Sequence, residues 1–239
     1  RPLLVVYRIA LIPDLARTVA AWREELARHG LPPPYLVAAE SFGQSGSVAV
    51  AAGFDAACEF PPHRATPAAR VSARALGLNA SFSGEVRDYA KIASDFRERA
   101  LPDYPLHRGV TLAWDNTARR GNAAHITVNF SVETYHAWLR AMVHSTRQAF
   151  AGERQLLFVN AWNEWSEGTY LEPDQWHGHA CLEATRAALR DEPWVPHTES
   201  DPEPAVARAA PVTLARAGST EAGAQRAGGR LTLVSVSMI

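Results

Sequence analysis

Apolar positions in this chain fall into two alternating patterns. Residues 3–9 (Leu-Leu-Val-Val-Tyr-Arg-Ile) form a nearly unbroken apolar run, the mark of a strand buried on both faces. Asp14 then precedes Leu15, Val19, Trp22 and Leu26, whose spacing predicts a helix, and Gly30 supplies its stop. Further strand-like runs occur at 35–39, 56–59, 109–114 and 156–161. Helical spacing returns over 85–101 (Tyr89, Ile92, Phe96), after Ser131 (Tyr135, Trp138, Leu139, Met142, Val143) and over 179–190. Residues 61–82, rich in Pro, Ala and Ser, read as an insertion, and 116–130 as a loop. Strands alternating with helices predict an α/β fold with a parallel sheet.

The pattern stops after Trp194. Residues 195–230 are mostly Ala, Pro, Glu, Ser, Thr, Arg and Gly, a composition that cannot offset its ordering entropy, so a disordered linker is expected there. Residues 231–239 (Leu-Thr-Leu-Val-Ser-Val-Ser-Met-Ile) turn strand-like again. The expected organisation is one domain over 1–194, the linker, and then either the first strand of a following domain or a stray apolar tail.

Composition narrows the function. The 239 residues carry 24 Lys+Arg against 25 Asp+Glu, a formal net charge of -1, which argues against a domain built to hold nucleic acid or an anionic membrane. No apolar run is long enough to span a bilayer. Two cysteines, Cys58 and Cys181, exclude a disulfide scaffold and a four-cysteine zinc site. His177 and His179 have no third ligand nearby, and no glycine-rich phosphate loop is present, so neither a metal nor a nucleotide cofactor is expected within 1–190. The chain begins at Arg1 without a signal-peptide pattern and reads as a segment of something longer.

Polar and aromatic residues follow the apolar runs: Tyr7-Arg8, Glu40-Ser41, Glu59 with His63, Asp115-Asn116, Asn163-Glu164. In a parallel α/β fold, strand carboxyl ends share one rim, where ligands bind. Each such residue also has a plainer role as a helix cap, above all Asp115, Asn116 and Thr117. The densest segment is 160–174, Asn-Ala-Trp-Asn-Glu-Trp-Ser-Glu-Gly-Thr-Tyr-Leu-Glu-Pro-Asp. Glu164 and Glu167 stand three apart, a spacing that puts both on one side of a turn. Paired carboxylates in unlike surroundings can supply one acid and one base at neutral pH. Trp162, Trp165 and Tyr170 offer flat faces for sugar rings, and Asn163 can bond hydroxyls. The combination points to acid/base chemistry on a carbohydrate.

The 160–174 segment closely resembles that of the WbsX-like family, also called glycoside hydrolase family 99-like, of bacterial surface-polysaccharide biosynthesis. The runs Pro2 to Tyr7, Gly53 to His63 and Trp114 to Arg120 match in the same order, and the resemblance covers about residues 1–190. It implies a (β/α)8 TIM-like barrel of which this chain holds the C-terminal portion, with three strand units upstream of Arg1 and the 160–174 segment at the mouth of the last strand. It also implies roles. Family-99 hydrolases use the first glutamate of a similar segment to deprotonate the sugar's own 2-hydroxyl, and the second as the acid for the leaving oxygen. Carried over, these are Glu164 and Glu167, with no metal or cofactor. Tyr-Leu-Glu-Pro after Thr169 departs from the hydrolase pattern and weakens any inference of mannose specificity, or of hydrolysis itself.

Substrate contacts are expected from Tyr7, Arg8, Asp115, Asn116, Trp162, Asn163, Trp165 and Tyr170, with a glycan as the partner and neither nucleic acid nor inserted membrane. The resemblance implies a bacterial cytoplasmic protein whose membrane association, if any, runs through other domains. Residues 231–239 resemble the opening strand of an inverting family-2 glycosyltransferase domain, so fusion to such a domain is an expectation. A glycosyltransferase and a non-catalytic glycan-binding module stand as alternatives to a glycosidase.

Overall fold

A computed structural model of the chain describes residues 1–195 and 231–236. The strand-like runs become β1 (Leu3–Val6), β2 (Tyr35–Glu40) and β3 (Ala56–Glu59), which pair in parallel in that order. All six residues of β2 are buried, as a strand covered on both faces requires. Between β1 and β2 lies α1 (Leu15–Arg28). The Asp14 side chain caps its start by accepting from Arg17 N. Its end is a Schellman turn: Leu31 N donates to Leu26 O and Gly30 N to Ala27 O, with Gly30 at φ 66°. The short α2 (Gly46–Ala51) joins β2 to β3.

The chain next forms β4 (Arg70–Val71) and β5 (Glu85–Asp88), followed by α3 (Tyr89–Glu98). The single helix expected over 85–101 is thus a strand and then a helix. Asp88 ends the strand and caps the helix by accepting from Lys91 N. Two short strands then flank Arg108: β6 (Leu106–His107) pairs with β3, and β7 (Gly109–Thr111) pairs with β9 (Leu156–Asn160), all parallel. At the crossing between them, a Cβ on residue 109 would sit 2.3 Å from Glu59 O, so only glycine fits. The expected loop over 116–130 contains α4 (Thr117–Arg120) and β8 (His125–Val128). β8 runs parallel to β5, and β4 antiparallel to it, making a small separate sheet that the hydrophobic pattern did not reveal. After α5 (Val132–Ala149) and β9, the hairpin β10 (Asn163–Glu164) and β11 (Thr169–Tyr170) forms, then α6 (Ala180–Arg190).

Residues 196–230, most of the expected linker, lie outside the described residues, as do 237–239. The strand expected in the last segment is present as β12 (Thr232–Ser235), and it pairs in parallel with β9. Two parallel sheets, β1-β2-β3-β6 and β7-β9-β12, are thus joined where the chain runs from β6 through Arg108 into β7, and together they form one layer, called the large sheet below.

Its two faces are distinct. Tyr35, Val37, Ala39, Ala56, Cys58, Leu156 and Phe158 form an inner cluster, against which Val5 and Tyr7 at one edge and Val234 and Val236 at the other also pack. Leu36 and Ala38 meet Val19 of α1 and Ala49 of α2 on the outer face. Val110, Leu157 and Val159 meet Tyr89, Tyr135, Trp138 and Ala184 of α3, α5 and α6. The α/β class with parallel strands is as expected. Ring closure is not seen among the described residues: β1 and β12 each pair on one side only.

Candidate functional site

Because every strand of the large sheet points the same way, their carboxyl ends share one rim. There, a cleft of about 440 Å³ opens. Tyr7 and Arg8 reach it from the end of β1, Phe42 from β2, His63 and Arg64 from β3, Trp114 and Asn116 from β7, and Glu167 from the turn after β9. The small sheet closes the far wall with Glu85 and Arg87 of β5 and His125 and Thr127 of β8. Arg119 and Arg120 of α4 also line the cleft.

Glu167 is held from three directions. It ends a single 3-10 turn (Trp165–Glu167), closed by Gly168 in the left-handed region at φ 60°. A Cβ on residue 168 would lie 2.8 Å from Asp115 N and O, so the loop after β7 can approach only a glycine here. The approach lets Asp115 N donate to Glu167 O at 2.8 Å. Below, Thr111 and Thr169 Oγ1 both donate to Asn160 O, at 2.8 and 3.0 Å, tying the hairpin to β7 and β9. The Glu167 residue is 2% exposed. Its Oε1 is paired with Arg119, while its Oε2 is buried without a hydrogen-bond partner among the described residues. Burial raises its pKa, and the nearby Glu164 charge adds to that. Arg119 and Arg120 pull the other way, with the net shift upward. A carboxyl in this state holds its proton nearer neutral pH than an ordinary glutamate does.

Tyr7 Oη lies 3.0 Å from His63 Nε2. Burial, then the Glu167 charge, pushes the phenol up to about 12. His63 is shifted down by burial and by the charges of Arg87 and His125. Arg8 stacks its guanidinium 4.4 Å above the Phe42 ring.

The expected site residues divide into two groups. Tyr7, Arg8, Asn116 and Glu167 line the cleft. Asn116 is 4% exposed and its Oδ1 accepts from His125 N, so it also fastens α4 to β8. Glu164, half-buried at the end of β10, lies outside the lining, yet its charge is felt at Glu167. Asp115 is exposed and its Oδ1 accepts from Thr117 N and Oγ1, a local turn just ahead of α4, whose N-cap Asn116 makes no side-chain cap hydrogen bond. Trp165 stacks on Tyr170 at 3.8 Å and donates Nε1–H to Glu172 Oε2, so each covers a face of the other. Trp162 and Asn163 are exposed on the same loop, outside the lining.

The two strand-end carboxylates on β2 and β3 have structural partners. Glu40 accepts from Gly46 N and Tyr104 Oη and pairs with Arg64 at 2.9 Å. Glu59, 1% exposed, pairs with Arg108 at 2.8 Å and accepts from Gly109 N. Both cysteines are buried and free, their thiols pushed up by burial, Cys181 to about 12. Among the described residues, no group of three or more His, Cys, Asp or Glu is placed to hold a metal ion. No helix among them is long and apolar enough to cross a membrane.

Sequence reasoning placed His63 on the rim without naming it a substrate contact, and did not single out Arg119, Trp114, Arg87, His125 or Thr127 as site residues. Trp114 and Arg119 lie in the 114–120 run and His63 in the 53–63 run, so their signal was present in the matched motifs. Arg87, His125 and Thr127 come from the small sheet, which has no comparable motif.

Two curated relatives, each named "Uncharacterized protein WxcX", come from two strains of Xanthomonas campestris pv. campestris. Each is 42% identical over 194 residues, which is 81% of this chain and 27% of the relative's length, so the chain spans about a quarter of those proteins. No solved structure matches. The family model described as "Glycosyltransferase WbsX" matches residues 1–185, and the chain belongs to that family.

Proposed function

We propose that this domain binds a glycan in the rim cleft and acts on its glycosidic bond by acid/base chemistry, within bacterial surface-polysaccharide biosynthesis. The observation that carries the reading is Glu167: a buried carboxyl with raised proton affinity and one oxygen unpartnered among the described residues, in a cleft that also presents Tyr7, Phe42 and Trp114. Glu167 is the proton donor to the leaving oxygen. Glu164, in a more solvated setting and electrostatically coupled to it, is the base that takes the proton of the sugar's 2-hydroxyl as that oxygen attacks the anomeric carbon. The one-directional strand order supports a segment of a (β/α)8 barrel.

A second reading, transfer to an acceptor hydroxyl, is favoured by the family's description as a glycosyltransferase. The same pair of carboxylates would then act on the acceptor and the leaving group.

The test uses glycosides that share a sugar and differ in leaving group. Glu167→Gln is expected to lower kcat by about 10²–10⁴-fold for an alkyl glycoside, which needs a proton, and far less for a dinitrophenyl glycoside, which does not. Equal losses on both would remove the acid role. Unchanged turnover would remove Glu167 from the chemistry. Glycan binding without turnover in the unaltered chain would make the domain a binding module.

A further inference from the structure

The cleft holds more positive charge than acid/base chemistry requires. Over the whole chain, 24 Lys+Arg stand against 25 Asp+Glu. Along the cleft the balance is lost: Arg8, Arg64, Arg87, Arg119 and Arg120 line it, with only Glu85 and Glu167 as carboxylates. Three of these arginines have acidic partners. Arg64 pairs with buried Glu40, Arg87 with Glu85 at 2.9 Å, and Arg119 with Glu167. Arg8 and Arg120 have no carboxylate partner among the described residues.

Their positions suit a ligand. Arg8 is steadied from behind by the Phe42 ring, a contact that uses none of its N–H donors. The charges of Arg8, Arg119 and Glu167 all act on the Tyr7 hydroxyl, and that of Arg120 on Glu167, so the two arginines without a carboxylate partner among the described residues line the same cleft as the proposed proton donor. A neutral sugar would leave two guanidiniums unmatched beside it as water is expelled. An anionic group would be met by charge-assisted hydrogen bonds, the strongest kind guanidinium makes.

We infer that the ligand of this cleft is an anionic saccharide, its carboxylate or phosphate group neutralised by Arg8 and Arg120. The inference rests on the glycan reading above and names its substrate class. Both arginines are exposed, so replacing them leaves the core untouched.

The probes are D-glucuronate, glucose 1-phosphate and glucose, titrated into the whole chain by NMR at low and high salt. At least one anion is expected to bind about tenfold or more tightly than glucose, the scale of one charge-assisted contact. That advantage is expected to shrink in high salt and to vanish in the Arg8→Gln/Arg120→Gln double variant. Glucuronate leading assigns a carboxylated sugar, and glucose 1-phosphate leading a phosphorylated one. Equal binding of all three, no binding of either anion, or a preference intact in the double variant overturns the inference. Glu167→Gln separates it from the proposed chemistry: the variant is expected to keep the anion preference while losing turnover. Persistent turnover there counts against the acid assignment alone, and a missing preference against the anionic ligand alone.

Discussion

The large sheet and the small one are made of different material. β2 is buried along its whole length, and β3 and β9 likewise. In β5 only Val86 is fully buried, and in β8 none of the four residues is. The large sheet is stabilised by apolar burial on both faces, the helical layer on one side and the inner cluster on the other. The small sheet is held by polar links to its neighbours: Thr127 Oγ1 accepts from Trp114 N, Arg87 Nη1 donates to Ala65 O, and Asn116 Oδ1 accepts from His125 N. The rim of the large sheet brings the carboxyl; the small sheet brings a polar wall. Both sheets reach the cleft, but the apolar burial that stabilises the fold lies in the large one, and mutations should separate the two contributions.

The largest stability effect is expected in the large sheet. Arg108→Ala would leave Glu59, 1% exposed, as an unpaired charge beside the β6–β7 crossing. Denaturant unfolding should show a loss of about 3–5 kcal/mol. A loss below about 1 kcal/mol would mean that Glu59 is neutral or solvated in the folded protein, and would break the contrast between the sheets.

Glu167→Gln should act in the opposite direction. The folded carboxyl has its pKa raised above the ordinary 4.5, so the folded state binds the proton more tightly than the unfolded chain does. Its ionisation therefore costs stability as pH rises through the window above 4.5, and the full cost applies once the folded pKa is passed. The glutamine variant escapes that cost. It should be more stable than the unaltered chain by on the order of 1 kcal/mol at neutral pH, with the gap closing in acid. Melting curves across pH check this, and a gap that widens in acid would refute the sign.

Arg87→Ala in the small sheet should change stability least, by about 1 kcal/mol or less, because its partner Glu85 is half-buried at the cleft wall and keeps Arg70. A loss as large as that of Arg108→Ala would show the small sheet to be as structural as the large one.

The same division explains what could be read from the sequence. Continuous apolar runs such as Tyr35–Glu40 report burial on both faces, and the five expected strands all appear near their predicted places, but β1, expected to be buried, is an edge strand with Leu3 and Leu4 exposed. Ser131 and Asp14 announce their helices because an N-cap is a local event. Glu85–Asp88 has one buried residue among polar ones and continues into a helix, so its periodicity merges with that of α3. His125–Val128 lies in a segment rich in polar and small residues, and its pairing with β5 spans some forty positions. Among site residues, Glu167 was visible in a dense local motif. Its partner Arg119 lies 48 positions earlier, and only folding joins the two. The stack of Trp165 on Tyr170 was equally hidden, since spacing alone does not say whether two rings face a sugar or each other.

The missing side chain at Gly168 has one further effect. With Asp115 N clasped to Glu167 O, the Glu167 carboxyl and the helix bearing Arg119 hang from a common frame. Any breathing of the rim that displaces one carries the other with it. The carboxyl and its counter-cation are thus built to shift together, and the electrostatic setting of Glu167 would survive a small displacement of the rim.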